Sequence, residues 1–342
     1  MPMKKVYIAY TGGTIGMKHV GGSYRPIPGY LQSLMATNPA FQHPELPQYV
    51  IHQYEPLLDS PNMTPADWSK IARDICAHYD EYDGFVVLHG TDTMAYTASA
   101  LAFMLEGLEK PVIVTGSQIP LCEIRNDAQE NLITALILAA YYQIPEVCLY
   151  FNGRLLRGCR AVKVNADGFD AFDSPRFPPL AYIGIEIELN RRVLQPVPVG
   201  RNGGVRLQAI AETAVVGALR LFPGISASIL ENMLQPPLRG LILETYGSGN
   251  APTNDQRFLD VLAQATAAGI VIVDCTQCLR GTVDLTKYAT GSALAQAGVI
   301  SGYDMTAEAA LTKLAWLLSQ DLPVTEVKRL MQTDLRGELT RP

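Results

Sequence analysis

The chain has no long apolar run and no cluster of basic residues in its 342 positions. A membrane-spanning helix needs about 18 or more consecutive apolar residues, and no stretch approaches that length. The 27 Lys and Arg residues are dispersed and are outnumbered by 33 Asp and Glu, so the basic patch that binds nucleic acid is missing. The first residues lack the apolar core and the cleavage site of a secretory signal. These absences predict a cytoplasmic protein with no nucleic acid and no membrane among its partners.

Histidine is sparse and cysteine is scattered. The five histidines never fall at the spacing of metal ligands, and the six cysteines lie mostly inside apolar runs, which is typical of buried free thiols. A single CxxC motif spans residues 275–278, but without a second pair or nearby histidines it is weak evidence for zinc or redox chemistry. The sequence therefore predicts neither a metal site nor an organic cofactor.

Apolar runs alternate with helix-like segments along most of the chain. In the first part, strands are predicted over residues 5–10, 49–54, 84–89, 111–115 and 147–151, and helices over 30–36, 65–79, 93–105 and 128–142. The runs at 85–88 and 111–114 are continuously apolar, as in parallel strands that are covered on both faces. A second alternation predicts strands over 215–221, 240–246 and 270–275, and helices over 255–268, 307–320 and 324–331.

This pattern predicts two α/β domains, and at roughly 150 residues per domain the chain has room for about two. Residues 1–188 should form a larger N-terminal catalytic domain, with a mostly parallel sheet flanked by helices. Residues 210–342 should form a smaller C-terminal parallel α/β domain. Residues 189–209 contain repeated Pro, Gly and Arg and are interpreted as a linker.

Polar loops follow three of the predicted strands. TGGTIG covers residues 11–16, the second loop contains Asp59 and Ser60, and HGTDTM covers residues 89–94. Ligands of open parallel sheets bind just beyond the carboxyl ends of the strands, so these loops should meet. The first loop could cradle a phosphate, but its spacing is not GxGxxG, and residues 17–26 resemble a mobile loop rather than a helix. The second loop could bind the polar end of a small substrate or form a plain turn.

A threonine hydroxyl such as that of Thr14 is a poor nucleophile until a base activates it. His89, at the end of the third strand, is one candidate base, although a histidine there is equally typical of the core. A lysine can act as a base when partial burial lowers its pKa and a carboxylate balances its charge. Lys163 lies alone between apolar neighbours, and Asp92 follows Thr91 directly, so these residues form the second candidate.

The two threonine loops resemble those of bacterial-type L-asparaginases, and the cytoplasmic type I branch fits best. The resemblance also includes Asp59, Ser60 and Lys163, and it continues through YGSGN at residues 246–250 and GYDMT at residues 302–306. It covers essentially the whole chain. It implies an amidohydrolase that converts L-asparagine to L-aspartate and ammonia through an acyl-threonine intermediate, without a cofactor.

The resemblance also implies roles for individual residues. Thr14 matches the acylated nucleophile, and Tyr24 matches a flexible-loop tyrosine that assists it. Thr91, Asp92 and Lys163 match a second triad of hydroxyl, carboxylate and amine. Asp92 would also bind the substrate α-ammonium, while Ser60 and the adjoining backbone at Asp59 would take the α-carboxylate.

Further expectations from the resemblance concern assembly and regulation. Asn250 matches a residue that family members send into the active site of a neighbouring subunit, which implies a catalytic dimer and a homotetramer of two dimers. Tyr288 is either a second tyrosine near the site or a packed core residue. Some type I relatives are activated by asparagine at a separate site. Val162 and Glu244 do not offer the hydroxyl or cation that such a site would use, so we expect hyperbolic saturation.

Two other functions compete with this interpretation. One is the asparaginase-like, ammonia-releasing subunit of an archaeal-type tRNA-dependent amidotransferase. Such subunits carry an N-terminal extension, whereas the first strand here is predicted to begin at residue 5. The other is a non-catalytic amino-acid or nucleotide sensor, which would leave the isolated Lys163 unexplained.

Overall fold

The computed structural model describes residues 3–198, 204–213 and 215–341. The chain divides into two compact units, Met1–Gln208 and Ala209–Pro342. Both units combine helices with a sheet that is wholly or mostly parallel, which confirms the predicted fold class. Part of the predicted linker, residues 199–203, lies outside the described residues.

The N-terminal unit contains long central strands and several short peripheral ones. The strands are β1 (Lys5–Gly12), β2 (Met17–Val20), β3 (Ser23–Pro26), β4 (Gln48–Leu58), β5 (Gly84–Leu88), β6 (Leu105–Glu106), β7 (Val112–Thr115), β8 (Val147–Phe151), β9 (Arg154–Arg157), β10 (Val162–Lys163), β11 (Phe172–Asp173), β12 (Ala181–Ile183), β13 (Ile187–Leu189) and β14 (Arg206–Leu207). The α-helices are α1 (Tyr30–Thr37), α2 (Pro65–Ala77), α3 (Met94–Met104) and α4 (Ala128–Tyr141).

The main sheet of this unit has the order β13-β12-β9-β8-β7-β5-β1-β4. The five strands from β8 to β4 are parallel neighbours, as predicted. Strands β9, β12 and β13 extend the sheet in antiparallel fashion. These three strands were not predicted, because segments of three or four residues are too short to show a clear alternation. The carboxyl ends of β7, β5, β1 and β4 therefore lie side by side.

The central strands form because both of their faces are covered. Every residue of β5, β7 and β8 is buried, which explains their continuous apolar sequence. Helix α3 is buried almost all round, and α4 packs against β5 and β7. The predicted start of α2 is also confirmed, since the Asp67 carboxylate accepts a 2.8 Å hydrogen bond from the Thr64 N–H.

Residues 17–26 form a hairpin rather than the irregular loop that the sequence suggested. Strands β2 and β3 pair antiparallel, with His19 opposite Tyr24, and most of their side chains are exposed. An exposed hairpin with alternating polar residues has no apolar stripe, so its sequence resembles that of a loop. The prediction that no helix follows Gly16 is correct.

The C-terminal unit has a four-stranded parallel sheet in the order β15-β16-β17-β18. Its strands are β15 (Val216–Arg220), β16 (Gly240–Thr245), β17 (Val271–Thr276) and β18 (Ile300–Ser301). Its helices are α5 (Ala227–Met233), α6 (Gln256–Ala267), α7 (Ala289–Gln296), α8 (Ala307–Leu317) and α9 (Val324–Met331). The three longer strands and helices α6, α8 and α9 were predicted, whereas the short elements α5, α7 and β18 were not.

No helix in the described ranges is long and apolar enough to cross a membrane.

Candidate active site

Three of the polar loops at the sheet edge meet through glycine backbone. A Cβ atom added to Gly13 would lie 2.4 Å from the Gly90 nitrogen, and one added to Gly90 would lie 2.5 Å from Ser60 Oγ. Gly13 also has a φ of 88°, which L side chains rarely adopt. The loops after β1, β5 and β4 are thus in contact, as the sequence predicted, and two glycines make that contact possible.

Thr14 begins a three-residue 3-10 turn, Thr14–Gly16, directly after this contact. Its side chain is half-buried. Within the described part of the chain, no hydrogen bond engages the Thr14 hydroxyl.

Thr91, Asp92 and Lys163 come together as the sequence predicted. Lys163 Nζ donates a 2.9 Å hydrogen bond to Thr91 Oγ1 and a 2.7 Å hydrogen bond to Asp92 Oδ1. Lys163 reaches the site from β10, which pairs with β11 outside the main sheet. The lysine side chain is 20% exposed and that of Asp92 is 59% exposed, so the amine is the more enclosed partner.

Gln118 is a member of this group that the sequence analysis missed. Thr91 Oγ1 donates a 3.1 Å hydrogen bond to Gln118 Oε1. Gln118 lies just beyond β7, the fourth of the neighbouring parallel strands, so the same argument that selected the other three loops would have selected this one. A glutamine in a turn carries no obvious chemistry by itself, which is why it was overlooked.

Ser60 and Asp59 occupy different environments in the loop after β4. Ser60 is buried, and its carbonyl accepts a 2.7 Å hydrogen bond from Thr93 Oγ1. Asp59 is exposed and precedes a short 3-10 turn, Ser60–Asn62. The Ser60 hydroxyl faces Gly90, which joins this loop to the one that carries Thr91.

His89 belongs to the core and not to the group formed by Thr91, Asp92 and Lys163. It is fully buried, and burial lowers its pKa to about 4, so the ring is neutral near pH 7. Nδ1 lies 2.6 Å from the Gly90 carbonyl, which only accepts, so Nδ1 carries the proton. Nε2 then accepts from Thr97 Oγ1 at 2.8 Å, and Thr97 in turn accepts from the Trp68 indole. Both ring nitrogens are engaged in hydrogen bonds. Of the two alternatives that the sequence left open for His89, a base or a core residue, the structure therefore supports the core residue.

Tyr24 lies on the exposed hairpin β2–β3 and is not hydrogen-bonded to Thr14. Its hydroxyl donates a 2.9 Å hydrogen bond to Glu123 Oε1. That bond to a carboxylate raises the pKa of Tyr24 above its usual value of 10. In this arrangement the tyrosine is a proton donor to Glu123.

Asn250 and Tyr288 lie in the C-terminal unit. The Asn250 side-chain oxygen accepts a 2.5 Å hydrogen bond from Thr290 Oγ1, and its backbone forms a bridge with Tyr246. Tyr288 immediately precedes α7 and is 50% exposed, so it is not a packed core tyrosine. In the CxxC motif, Cys275 is buried and Cys278 is exposed.

Within residues 3–198, 204–213 and 215–341, no group of three or more His, Cys, Asp or Glu side chains is placed to hold a metal ion.

Two family models match the chain. One, described as "Asparaginase, N-terminal", matches residues 5–195, and the other, described as "Glutaminase/Asparaginase C-terminal domain", matches residues 215–331. The first range contains Thr14, Thr91 and Lys163, and the second contains Asn250.

Individual relatives match over the full length. L-asparaginase 1 of Escherichia coli (strain K12) is 55% identical over 340 residues, which is 99% of either chain. The crystal structure of L-asparaginase I from Vibrio cholerae is 53% identical with a TM-score of 0.91, and the match covers 99% of this chain and 100% of that one. The thermostable L-asparaginase from Thermococcus kodakarensis is 35% identical with a TM-score of 0.86, at the same coverage.

Proposed function

The chain belongs to the asparaginase family and hydrolyses L-asparagine to L-aspartate and ammonia, and we propose that the reaction passes through an ester on the Thr14 hydroxyl. The observation that carries the assignment of residues is the meeting of the Thr14 and Thr91 loops beside the Lys163 amine. Alternatives such as an amidotransferase subunit or a non-catalytic sensor are not better supported.

The proposed first step is attack of Thr14 Oγ1 on the side-chain amide carbon of asparagine. A C–O bond forms as the hydroxyl proton leaves, the amide nitrogen takes up a proton, and the C–N bond breaks to release ammonia. Water then attacks the β-aspartyl ester, which frees Thr14 and yields L-aspartate. Splitting amide hydrolysis in this way replaces one difficult step by two easier ones. Backbone N–H groups of the glycine-rich loops are the proposed donors to the oxyanion.

We propose that the charged ends of the substrate bind on either side of Thr14. Asp92 is 59% exposed and could accept a hydrogen bond from the α-ammonium while it remains paired with Lys163. Ser60, with the backbone after Asp59, would take the α-carboxylate. Support comes from the contact between Gly90 and Ser60, which brings the two binding loops together.

The proton of Thr14 has two proposed routes. Tyr24 would have to leave Glu123 before its oxygen could accept a proton, and the raised pKa of Tyr24 keeps it protonated while that bond persists. Lys163 and Thr91 form the alternative relay, which becomes a base only when the lysine has given up a proton. Support for this second route is the direct contact between the Lys163 amine and the Thr91 hydroxyl.

Replacement of the proposed nucleophile tests the mechanism. We expect Thr14→Ala to abolish asparagine-dependent ammonia release, and Thr14→Ser, which keeps a hydroxyl, to retain part of it. Titration of the purified chain with asparagine and with glutamine measures turnover, selectivity and curve shape together. A Thr14→Ala variant with near-normal turnover would exclude the ester mechanism. A wild-type chain that needs a partner before it releases ammonia would favour the amidotransferase alternative.

We propose that the enzyme acts in the cytoplasm as a tetramer of two dimers, with Asn250 contributed to the neighbouring active site. This proposal rests on the resemblance to type I enzymes. Mixing Thr14→Ala with Asn250→Ala chains under conditions of subunit exchange should restore activity, because half of the mixed sites would then hold both native residues. Light scattering gives the mass of the assembly, and a monomer with full activity would contradict the proposal.

We also propose that asparagine saturation is hyperbolic. The Glu244 carboxylate accepts a 3.4 Å hydrogen bond from Arg220, so it is already engaged with a cation of its own unit. A clearly sigmoidal curve would overturn this proposal.

A further inference from the structure

We propose that Gln118 is a positioning residue that directs the proton of Thr91 away from Lys163 and couples the loop of residues 164–171 to the catalytic group. The inference rests on the proposed function, because it concerns how the Thr91–Lys163 pair is prepared for catalysis. Four observations carry it: the orientation of the Gln118 amide, the turn that holds it, the loop it contacts and the single proton of Thr91.

The orientation of the Gln118 amide is fixed by its surroundings. Its Nε2 atom lies 3.3 Å from the Ala166 carbonyl and 3.1 Å from the Gly168 carbonyl. Carbonyl oxygens only accept hydrogen bonds, so the side-chain atom that faces them must be the NH₂ group. The carbonyl oxygen of the amide therefore points at Thr91, where it can only accept. A flipped amide would place three oxygens together and leave the Thr91 hydroxyl facing a donor.

The turn that carries Gln118 is held by the start of helix α4. The Asp127 carboxylate accepts hydrogen bonds from the backbone N–H groups of Gln118, at 2.9 and 3.1 Å, and of Ile119, at 3.0 Å. Asn131, which is fully buried, donates a 3.0 Å hydrogen bond to the Gly116 carbonyl. The side chain of Gln118 thus starts from a backbone that is fixed on both sides.

The loop that Gln118 contacts is ordered by its own side chains. Asn165 Oδ1 accepts from the backbone N–H groups of Asp167 and Gly168, at 2.9 and 3.0 Å, and Asn165 Nδ2 donates to Asp170 at 2.9 Å. The Val164 N–H donates to the Ala171 carbonyl at 2.8 Å, which closes the loop next to Lys163. The Ala166 and Gly168 carbonyls, which accept hydrogen bonds from Gln118, therefore belong to an ordered loop that begins one residue after Lys163.

Thr91 has one hydroxyl proton, and it donates that proton in its hydrogen bond to Gln118 Oε1. In the hydrogen bond between Lys163 Nζ and Thr91 Oγ1, the lysine must then be the donor. The lysine is also the donor in its hydrogen bond to Asp92. Gln118 consequently holds a resting arrangement in which the ammonium faces a lone pair of Thr91. The hydrogen bond to Gln118 thus fixes the Thr91 oxygen beside the Lys163 amine, and its loss would leave the hydroxyl free to rotate away from the lysine.

The test compares Gln118→Met with a matched glutamine variant, Gln42→Met. Gln42 also donates its amide to a backbone carbonyl, that of Met35, at 3.0 Å, but it makes no contact with the catalytic group. We expect Gln118→Met to lower kcat for asparagine by about 10- to 100-fold with KM changed by less than about threefold, since misplaced catalytic groups cost rate more than binding. Gln42→Met should leave both constants unchanged, and both variants should keep the wild-type Tm.

A double-mutant cycle with Thr91→Val tests whether Gln118 acts through Thr91. In the Thr91→Val background, which has no hydroxyl to position, Gln118→Met should have little further effect on kcat, measured in single turnovers with enzyme in excess. A second readout requires no turnover: the Thr91 methyl resonance should shift in Gln118→Met and stay in place in Gln42→Met.

The possible failures are distinguishable. A wild-type chain without asparagine hydrolysis would refute the proposed function itself. An active wild type with unchanged kcat in Gln118→Met, additive effects in the cycle, or an unmoved Thr91 methyl resonance would each overturn the role of Gln118 alone.

Discussion

At the scale of single residues, the proposed catalytic group depends on the Lys163 amine, which reaches Thr91 from β10, outside the main sheet. Lys163 is the more enclosed member of its ion pair, and it donates to both Thr91 and Asp92. Removal of such a cation leaves the Asp92 carboxylate without its partner and Thr91 without a donor. The consequence should appear in the chemical step more than in substrate binding.

We therefore expect Lys163→Met to lower kcat by about 10²- to 10⁴-fold, the range typical of a lost acid–base group. Lys70→Met is the matched control, because Lys70 is an exposed lysine of the same unit that lies over the Tyr54 ring. Steady-state ammonia release at saturating asparagine measures both. A fully active Lys163→Met would require a different second triad but would not affect the proposal that Thr14 is the nucleophile.

The residues of the site differ in how readily the sequence reveals them. Thr14, Thr91, Asp92 and Lys163 were proposed from motifs and from an isolated charge, and the last three are in hydrogen-bond contact. Gln118 was not proposed, because its role depends on the two carbonyls that orient its amide, and no sequence pattern specifies those. The neutral state of His89 likewise follows from burial and from Thr97, eight residues away along the chain.

At the scale of elements, the loops after β1 and β5 approach each other closely through the backbone of Gly13 and Gly90. The sequence predicted the long central strands because burial on both faces forces a continuous apolar run. It did not predict β9, β12, β13 or the hairpin β2–β3, since short or exposed strands are specified by their neighbours in space. The loop contact at Gly13 was expected from strand order, but its closeness was not.

The variant Gly13→Ala tests the importance of this contact, and Gly21→Ala is the matched control. Both glycines have positive φ, at 88° and 61°, so both substitutions strain the backbone. A Cβ at Gly13 would also lie 2.4 Å from the Gly90 nitrogen, whereas one at Gly21 would meet nothing within 4 Å. We expect Gly13→Ala to lose most activity and about 2–4 kcal/mol of stability, and Gly21→Ala to lose about 1 kcal/mol or less with activity retained. Equal effects in urea unfolding and in turnover would contradict this account.

At the scale of the whole molecule, a buried carboxyl in the C-terminal unit links stability to pH. Asp274 lies at 0% exposure near the end of β17, and burial raises its pKa to about 7, while a hydrogen bond from Thr245 opposes that rise. The other carboxyl oxygen, Oδ2, has no hydrogen-bond partner among the described residues. The folded state therefore keeps the Asp274 proton up to about pH 7, while the unfolded state releases it near the ordinary value of 3.8.

The contribution of Asp274 to stability should fall as pH rises from about 4 to 7 and level off above that window. Asp274→Asn, which cannot ionise, should be more stable than wild type at pH 8, by on the order of 1–4 kcal/mol, with the difference shrinking toward pH 4.

The control is Asp284→Asn. Hydrogen bonds from Thr286 lower the pKa of Asp284, so the stability it provides is present at neutral pH and lost on acidification. Denaturant unfolding at pH 4, 6 and 8 measures both variants. A pH-independent difference between Asp274→Asn and wild type would contradict the assignment.

The hydrogen bond between Lys163 and Thr91 joins residues that are 72 positions apart in the chain. Lys163 reaches Thr91 from β10, which pairs with β11 outside the main sheet, so the main sheet can form before the lysine is in place. A partly folded molecule can hold the Thr14 loop and the central strands and still lack the amine. Recovery of ammonia release during refolding should therefore lag behind recovery of secondary structure. The return of activity would then report when Lys163 reaches its place beside Thr91.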